Sequence, residues 1–471
     1  MKLLFISLGC DKNLVDTEFM LGMIRDAGTF DGQPIEMTDD EYQADIIIIN
    51  TCCFINDAKE ESINTILEMA EHKRDAKLKA LIVTGCLAQR YKEEIRKEIP
   101  EVDAILGTNS YDAIAEAVKN VLGGSHYENF KTLEGIPNVS AKRSLTTGGH
   151  YAHLKIAEGC NKHCTYCIIP KIRGEYRSIP IEELVASAKD LAAQGVKELI
   201  LVAQETTLYG IDLYGEKSLY RLLDELNKID GIYWIRILYC YPEEIDDKLI
   251  ASIKRNEKVC HYLDLPIQHA DDVILKRMGR RTSQADLRNI VTKLRTEIPD
   301  IALRTTLICG FPGEMPEQHE ELMEFLNETE FDRAITSFYE RDYDVLLCTT
   351  IIESGIDIDS VNTLIVYEAD KFGLAQLYQL KGRVGRSTLR AYAYFTHNNE
   401  ENLTELAQKR LCAIRDFTKF GSGMRIAMKD LEIRGAGNIL GAEQSGHMAQ
   451  IGYDLYCKLV KREMSEAMGK P

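Results

Sequence analysis

Short apolar runs alternate with amphipathic segments over roughly the first 120 residues of the chain. The runs have strand length and read, in order, KLLFISL, ADIIIIN, KALIVTG and VDAILG. In the segments between them apolar residues recur every three or four positions, which is the spacing of a helix with one buried face. This alternation predicts an α/β fold class and, over residues 1–122, an open parallel α/β domain.

A second series of the same kind begins after a polar stretch rich in Gly and Ser, residues 123–150, which we interpret as a linker. Its strand-like runs are AHLKIAEG, ELILVAQ, WIRILYC, YLDLPIQ and IALRTTLICG. Strands that recur about every 30 residues with amphipathic helices between them are typical of a parallel barrel. We therefore expect a (β/α) barrel, or part of one, over residues 151–333.

The pattern changes once more near residue 333. YDVLLCTT, NTLIVYEA and RAYAYFTH predict three further strands of parallel type, and the remainder of the chain is rich in helical patterns. We expect a partial α/β lobe over residues 334–400 and a helical region over 401–471.

Composition points to a protein without membrane spans. The chain has 471 residues, 45% of them hydrophobic and 28% charged, which is ordinary for globular domains. No apolar run reaches the roughly 18–20 residues that span a bilayer. The apolar part of MKLLFISLGC is too short for an export signal, so we interpret it as a buried first strand and predict a cytoplasmic location.

Charge is distributed unevenly. Residues 334–471 contain 17 Lys and Arg against 18 Asp and Glu, so nearly all of the net charge of −17 lies in residues 1–333. An acidic surface repels phosphate backbones, which makes the first part of the chain a poor nonspecific binder of nucleic acid. The chain also has 13 cysteines, a usage that suggests metal or redox chemistry in a reducing compartment.

One cysteine motif has the spacing of a cluster site. GCNKHCTYC places Cys160, Cys164 and Cys167 in a C-x3-C-x2-C pattern just after a predicted strand. Three thiolates on one loop can bind three irons of a [4Fe–4S] cluster and leave the fourth iron open to an amino acid's amine and carboxylate. A structural zinc site would show paired C-x2-C halves. Buried cysteines without a ligand are the alternative.

Three other cysteines share a position relative to predicted strands. Cys10 follows LFISLG, Cys52 follows IIIINT and Cys86 follows LIVTG. The carboxyl ends of parallel strands converge on one crevice, so these thiols could meet as ligands of a second cluster. Core cysteines in strands are the alternative, and the presence of the first motif favours a second cluster.

Residues 1 to about 333 resemble the radical-SAM methylthiotransferases, most closely the type that acts on ribosomal protein uS12. The motifs are SLGCDKNLVDTE, NTCCFINDAKEES, TGCLAQRY, LKIAEGCNKHCTYCIIPKIRG, LDLPIQHA and KRMGRRT. The sister family that modifies tRNA looks different at several of these places, notably beside the first and fourth cysteines. The resemblance implies a SAM-binding [4Fe–4S] cluster on Cys160, Cys164 and Cys167. It implies an auxiliary [4Fe–4S] cluster, which carries the sulfur, on Cys10, Cys52 and Cys86.

The same resemblance implies the remaining contacts and the reaction. Tyr166 matches a position near the SAM adenine, and Gly310 and Glu314 in TLICGFPGE match SAM-side contacts. S-adenosyl-L-methionine would be cleaved to a 5′-deoxyadenosyl radical, which takes a hydrogen from the β-carbon of an aspartate in uS12. Sulfur and a methyl group then follow. The implied partners are uS12 or the small ribosomal subunit and a low-potential electron donor of flavodoxin or ferredoxin type.

Several residues near these motifs receive other interpretations. Cys53 stands where the family commonly has Gly, so it is either an inert neighbour or a competing ligand. Lys162 and His163 are expected to be solvated loop residues. The six cysteines outside these motifs are expected in the core, and they are Cys240, Cys260, Cys309, Cys348, Cys412 and Cys457.

Residues from about 334 to 471 resemble an unrelated family, the second motor lobe of the transcription-repair coupling factor, a RecA-like DNA translocase. The motifs are YDVLLCTTIIESGIDI, QLYQLKGRVGRS and DLEIRGAGNILGAEQSGH. The resemblance implies that Arg383 and Arg386 are arginine fingers for a γ-phosphate. It places Arg410, Arg434 and Gln444 at functional positions of the translocation motif, and it implies a residual contact with DNA or RNA polymerase.

The segment that joins the two resemblances reads EFDRAITSFYERDYDVLLCTT, without a linker rich in Pro, Gly or Ser. No G-x-x-x-x-G-K-[ST] motif precedes the motor-like segment, so we expect no ATP turnover. The last barrel strand and the RNA-binding TRAM domain of the methylthiotransferases do not follow the barrel. We expect a chimera joined near residues 333–343, whose enzyme activity is compromised. The alternatives are a natural fusion, an orphan translocase lobe that binds without catalysis, and a tRNA methylthiotransferase.

Overall fold

The computed structural model divides the chain into two units, Met1–Phe331 and Asp332–Pro471. It describes residues 1–74, 78–136, 142–329, 345–346, 361–382, 384, 391–397 and 405–416.

A sheet of six parallel strands forms the first domain, in the order β4-β1-β5-β6-β7-β8. The strands of this region are β1 (Lys2–Ser7), β2 (Thr29–Phe30), β3 (Gln33–Pro34), β4 (Glu36–Met37), β5 (Ile46–Thr51), β6 (Ala80–Gly85), β7 (Ala104–Leu106) and β8 (Tyr127–Asn129). The helices are α1 (Asp11–Ala27), α2 (Asn56–Arg74), α3 (Cys86–Arg90), α4 (Lys92–Glu98) and α5 (Ile114–Leu122).

The strands form where the apolar runs predict them. Every residue of β5 and β6 is buried, as expected for central strands covered by helices on both faces. The segment interpreted as a linker behaves differently, because its residues 127–129 form β8 and pair in parallel with β7. Its polar composition is that of an edge strand, since YEN has only partly buried or exposed side chains.

A second sheet in the same unit has five parallel strands in the order β15-β14-β13-β12-β9. The strands of this region are β9 (Tyr151–Lys155), β10 (Ala157–Glu158), β11 (Arg177–Ser178), β12 (Glu198–Val202), β13 (Trp234–Ile237), β14 (Val259–Asp264) and β15 (Ala302–Arg304). The helices are α6 (Ile169–Arg173), α7 (Ile181–Ala193), α8 (Ile211–Tyr214), α9 (Leu219–Leu226), α10 (Asp247–Arg255), α11 (Asp272–Arg277), α12 (Gln284–Glu297) and α13 (Pro316–Glu328).

Each of these five strands follows its neighbour in chain order across the sheet, with helices between them, so the sheet has the strand order of a partial (β/α) barrel. The apolar side chains of the strands and of α7, α9 and α10 share one core. Helix α1 of the first domain packs against β9, so the two sheets meet at this helix.

The second unit contains a small parallel pair of strands within its described residues. Its elements are β16 (Thr363–Val366), α14 (Leu374–Lys381), β17 (Tyr392–Phe395) and α15 (Glu405–Asp416). The strands match the runs NTLIVYEA and RAYAYFTH, and a local core lies between them and the helices. The strand predicted from YDVLLCTT lies almost entirely outside the described residues.

Among the described helices, none is long and apolar enough to cross a membrane.

Of the cysteines expected in the core, Cys240 is buried, Cys260 and Cys412 are half-buried, and Cys309 is exposed. Cys309 is exposed because it lies in the loop after β15. Cys348 and Cys457 lie outside the described residues.

Candidate active site

Three cysteines lie together at the carboxyl edge of the first sheet. Cys10 precedes α1 in an extended conformation, Cys52 follows β5, and Cys86 is the first residue of α3 directly after β6. Strands β1, β5 and β6 are neighbours in the sheet, so their ends bring the three thiols to one crevice.

Two glycines allow this close approach. Gly9 has a φ of 87°, and a Cβ there would lie 2.5 Å from Cys52 Cβ and 2.8 Å from its Sγ. Gly85 has a φ of 93°, and a Cβ there would lie 2.3 Å from Asn50 Oδ1. Both positions combine a left-handed backbone with no room for a side chain, so only glycine fits. Gly9 therefore lets Cys52 lie against the segment that precedes Cys10, and Gly85 lets the chain before Cys86 lie against the end of β5.

The sulfur atoms of this group influence one another. Burial raises the pKa of the Cys86 thiol to about 12, with Arg173 acting to lower the pKa and Cys10 and Cys52 acting to raise it. Burial and the neighbouring Cys10 also raise the pKa of Cys52. Iron would have to displace these protons, because only the thiolate is a ligand.

The second group lies in the loop between β10 and α6. Cys160 and Cys164 are buried and Cys167 is half-buried. The Cys160 amide donates to Gly174 O at 3.2 Å, and the Cys167 amide donates to Cys164 O at 3.0 Å, so the loop is held at both ends. Burial raises the pKa of the Cys160 thiol to about 11, and Cys167 and Cys164 contribute to the increase.

Aromatic and cationic side chains surround this loop. The Tyr241 hydroxyl lies 3.5 Å from Cys164 Sγ, and the Arg280 guanidinium lies 4.2 Å from the centre of the Tyr241 ring. Tyr166 is half-buried, and burial followed by the neighbouring Cys164 raises its pKa.

The prediction that Lys162 is solvated is wrong. Its side chain is 6% exposed, and Nζ pairs with Glu244 and lies 3.6 Å from Glu243. These carboxylates come from the turn after β13, far away in sequence, which explains why the local pattern gave no sign of the pairing. His163 is exposed, as expected.

Some side chains near this loop have buried polar atoms without a hydrogen-bond partner. Among the described residues, the buried atoms without a hydrogen bond include Glu205 Oε2 and the Nε and Nη1 atoms of Arg280. Glu205 is fully buried just beyond β12, and burial raises its pKa to about 7, partly offset by hydrogen bonds from Thr207. An ammonium and a carboxylate on one ligand would satisfy these two groups. Neither residue stands in a motif that the sequence marks as a binding site.

The two residues predicted on the SAM side lie in the loop after β15. Gly310 has a φ of 71°, and its surroundings are open. The Glu314 carboxylate accepts a hydrogen bond from the Phe311 amide at 2.9 Å and lies 3.5 Å from His269 Nε2. The Glu314 side chain thus stabilises the loop in which it lies, and its contact with SAM stays a prediction.

The described residues contain no group of three or more His, Cys, Asp or Glu side chains arranged for a single metal ion. A cubane cluster makes a different demand, because each thiolate binds its own iron. Three thiols in one crevice, the glycines that make room for them and buried N–H donors fit such a group.

In the second unit, only one of the predicted motor residues falls on described positions. Arg410 lies on α15, where Nη1 donates to Phe372 O at 2.8 Å and Nη2 to Asp370 O at 3.4 Å. Arg383, Arg386, Arg434 and Gln444 lie outside the described residues. Their roles and that of Arg410 stay predictions.

Family models match three parts of the chain. Residues 2–107 match the uncharacterized protein family UPF0004, and residues 154–326 match the radical SAM superfamily. Residues 317–388 match the helicase conserved C-terminal domain, so two unrelated families meet in this chain.

Curated relatives identify the family of the first part of the chain more specifically. The ribosomal protein uS12 methylthiotransferase RimO of Lachnoclostridium phytofermentans is 64% identical over 344 residues, which cover 73% of this chain and 77% of the relative. The chain belongs to the RimO family of radical-SAM methylthiotransferases. RimO of Clostridium botulinum (strain Eklund 17B / Type B) is 52% identical over 72% of this chain and 75% of its own. RimO of Clostridioides difficile is 48% identical over a region that covers 73% of this chain and 76% of the relative.

Membership of the RimO family confirms the predicted enzyme class, a methylthiotransferase that uses radical SAM chemistry, and the α/β fold class. A radical-SAM enzyme binds a [4Fe–4S] cluster and SAM and requires an electron donor. The tRNA methylthiotransferase and the orphan translocase are not favoured, and these matches give no support to the expected contact with DNA or RNA polymerase.

Among solved structures, the radical SAM methyltransferase TsrM from Kitasatospora setae is similar over a region that covers 70% of this chain and 71% of the TsrM chain. The sequence identity is 12% and the TM-score is 0.49.

Proposed function

We propose that this chain transfers a methylthio group to an aspartate of ribosomal protein uS12, and that it holds two [4Fe–4S] clusters. Cys160, Cys164 and Cys167 would bind the cluster that chelates SAM. Cys10, Cys52 and Cys86 would bind the auxiliary cluster. The relatives that carry the uS12 name share up to 64% identity with this chain, which supports the substrate assignment.

The observation that carries the proposal is the presence of two separate groups of three cysteines within one unit. Cys10, Cys52 and Cys86 lie just beyond the carboxyl ends of parallel strands, where α/β folds bind ligands, and Cys160, Cys164 and Cys167 lie together in the loop after β10. A single structural cluster would need only one such group. When bound, the clusters and SAM would supply the radical and the sulfur that protein side chains cannot provide.

The surrounding residues would bind and orient SAM. The unpartnered Glu205 Oε2 would accept a hydrogen bond from its ammonium group, and the free N–H groups of Arg280 would donate to its carboxylate. Tyr166, Gly310 and Glu314 are proposed as further contacts.

Burial of this region has a second consequence. Cys160, Cys164, Glu205 and Arg280 are all nearly inaccessible to solvent, so little water would reach a reactive species formed there. Exclusion of water protects such a species from side reactions.

The test has two stages. Anaerobically reconstituted protein should contain about eight irons per chain, since each cubane has four. It should then modify uS12, with a flavodoxin or ferredoxin as donor, and leave tRNA unmodified. Cys164→Ala should retain about four irons and lose SAM cleavage, whereas a variant that still cleaves SAM would refute the assignment of Cys160, Cys164 and Cys167. Modification of tRNA in place of uS12 would refute the substrate.

We also propose that the joined helicase-type segment lowers this activity, because the helicase-family match begins at residue 317, inside the barrel region. An uninterrupted PCR product across codons 325–345 of the source DNA would identify a real fusion. Failure to obtain one would identify a chimera assembled from two genes. For a real fusion, uS12 modification slower than that by the Lachnoclostridium phytofermentans relative would support the proposed loss.

A further inference from the structure

Arg173 uses all of its donors in a buried contact between the two domains. An arginine side chain carries five N–H groups. Nε and Nη2 each lie 3.4 Å from Cys86 Sγ, and Nη2 also donates to Asn13 Oδ1. Nη1 donates to Asp16 Oδ2 at 2.9 Å and to Glu158 Oε2 at 3.2 Å. The side chain is 2% exposed.

The charges around this guanidinium balance without the sulfur. Lys155 Nζ pairs with Asp16 and lies 2.8 Å from Glu158 Oε2, so two cations face two carboxylates, all of them nearly fully buried. The negative charge that the Cys86 sulfur carries when it binds iron is additional. Two of the Arg173 donors are directed at that sulfur, and N–H groups of a cation form the strongest hydrogen bonds to an anionic acceptor.

The backbone of Arg173 belongs to the other cysteine group. Helix α6 begins two residues after Cys167 and ends at Arg173. Gly174 follows with a φ of 77°, and its carbonyl accepts the Cys160 amide at 3.2 Å. The Arg177 Nη2 atom donates to Arg173 O at 3.0 Å, which fixes the turn from which the side chain leaves. One rigid turn thus joins the Cys160–Cys167 loop to the sulfur of Cys86.

We propose that Arg173 is a positioning residue that holds the Cys86 sulfur against the Cys160–Cys167 loop and raises the reduction potential of the auxiliary cluster. The proposal rests on the assignment of Cys86 as a ligand of that cluster. Hydrogen bonds to the sulfur ligands and nearby positive charge both stabilise the reduced, more negative form of an iron–sulfur cluster. Loss of the guanidinium should therefore lower the potential.

The reaction explains why such a link would be useful. The substrate must meet the radical formed at one cluster and the sulfur delivered at the other, so the distance between the two sites has to be fixed. Arg173 spans that distance with a short turn and one planar side chain. Lysine would preserve the charge but not the geometry, because its single ammonium cannot reach the sulfur and two carboxylates together.

The experiment isolates the auxiliary cluster. In a variant with Cys160→Ala, Cys164→Ala and Cys167→Ala, the remaining cluster is titrated redox-potentiometrically with EPR detection, and iron per chain is measured. Arg173→Gln and Arg173→Lys are then added to this background. The matched control is Arg143→Gln, because Arg143 is equally buried at the contact between α1 and β9 and pairs with Glu18 and His153 O, not with a cysteine.

The expected result is a lower potential in Arg173→Gln, a smaller decrease in Arg173→Lys, and the parental potential in Arg143→Gln. Loss of iron from Arg173→Gln alone, with iron retained in Arg143→Gln, would also support a role in holding the ligand. Equal potentials in all four proteins would overturn the inference while leaving the two-cluster proposal intact. A triple-alanine parent that holds no iron would overturn both. If Arg173→Gln does not fold, the test uses Arg173→Lys alone. A potential below that of the parent then supports the inference, and an equal potential overturns it.

Discussion

The hydroxyl of Tyr239 donates a hydrogen bond to Asp11 Oδ1 at 3.0 Å and so joins the loop after β13 to the start of α1. Lys12 Nζ lies 3.2 Å from the centre of the Tyr239 ring, a cation–π contact. Tyr239 has a φ of 60°, an uncommon conformation for a tyrosine, which the surrounding contacts must stabilise. All three residues lie beside Cys10, so this contact anchors one edge of the proposed auxiliary cluster site.

Removing that hydroxyl should destabilise the first unit. Tyr239→Phe keeps the ring over Lys12 but leaves the Asp11 carboxylate with one hydrogen-bond donor fewer, and Asp11 Oδ2 is already buried without a partner. A buried hydrogen bond to a charged group contributes about 1.5–3 kcal/mol, so the free energy of unfolding should fall by that amount. Urea denaturation of the iron-free protein measures it. Tyr220→Phe is the control, since its hydroxyl lies 3.4 Å from an exposed Glu216, and an equal loss there would contradict the prediction.

Glu18 anchors the segment that leads into the barrel. Its Oε2 accepts a hydrogen bond from Arg143, and Oε1 accepts from the Thr146 amide at 2.8 Å. Glu18→Ala leaves a buried guanidinium without its counter-ion, which should cost about 3–5 kcal/mol of unfolding free energy.

The exposed pair of Arg25 and Asp26 provides the comparison for Glu18. Asp26→Ala should change stability by about 0.5 kcal/mol or less, because solvent screens this pair. Chemical denaturation of both variants checks the difference, and similar losses would show that the burial of Glu18 has no energetic consequence.

Cys53 allows the ligand assignment to be tested at adjacent positions. Cys52 and Cys53 are both buried, but Cys53 Sγ lies 3.3 Å from the backbone oxygen of Cys86, which it can engage as a donor. We expect Cys53→Ala to retain about eight irons per chain after reconstitution and Cys52→Ala to retain about four. Iron and labile sulfide assays check both numbers. If Cys53→Ala loses iron and Cys52→Ala retains it, Cys53 is the cluster ligand and Cys52 is the inert neighbour.

The sequence predicted the elements of the site better than its contacts. Cys10, Cys52 and Cys86 follow apolar runs whose strand character depends only on local pattern, and the structure brings their strand ends side by side. Arg173 was missed because its role depends on the meeting of two domains, which no periodicity encodes. The burial of Lys162 was missed for a related reason, since its carboxylate partners come from a distant turn.

Glu205 should make the iron-free protein less stable as the pH rises. Burial raises its pKa from the ordinary value of 4.5 to about 7, so the folded state binds more protons than the unfolded state between these pH values. A group more protonated in the folded state contributes stability at low pH, and this stability is lost as the pH rises from about 4.5 to about 7. At about 1.4 kcal/mol per pH unit, the loss approaches about 3 kcal/mol.

Glu205→Gln removes this titration while it keeps an oxygen that can accept the hydrogen bonds from Thr207. The variant should show a flatter profile of unfolding free energy against pH between 5 and 8, at about equal stability near pH 5 and greater stability than the parent near pH 8. The exposed Glu182→Gln on α7 serves as control and should keep the parental slope. Parallel profiles for Glu205→Gln and the parent would show that Glu205 does not titrate in this range, and its buried oxygen would then need a partner other than a proton.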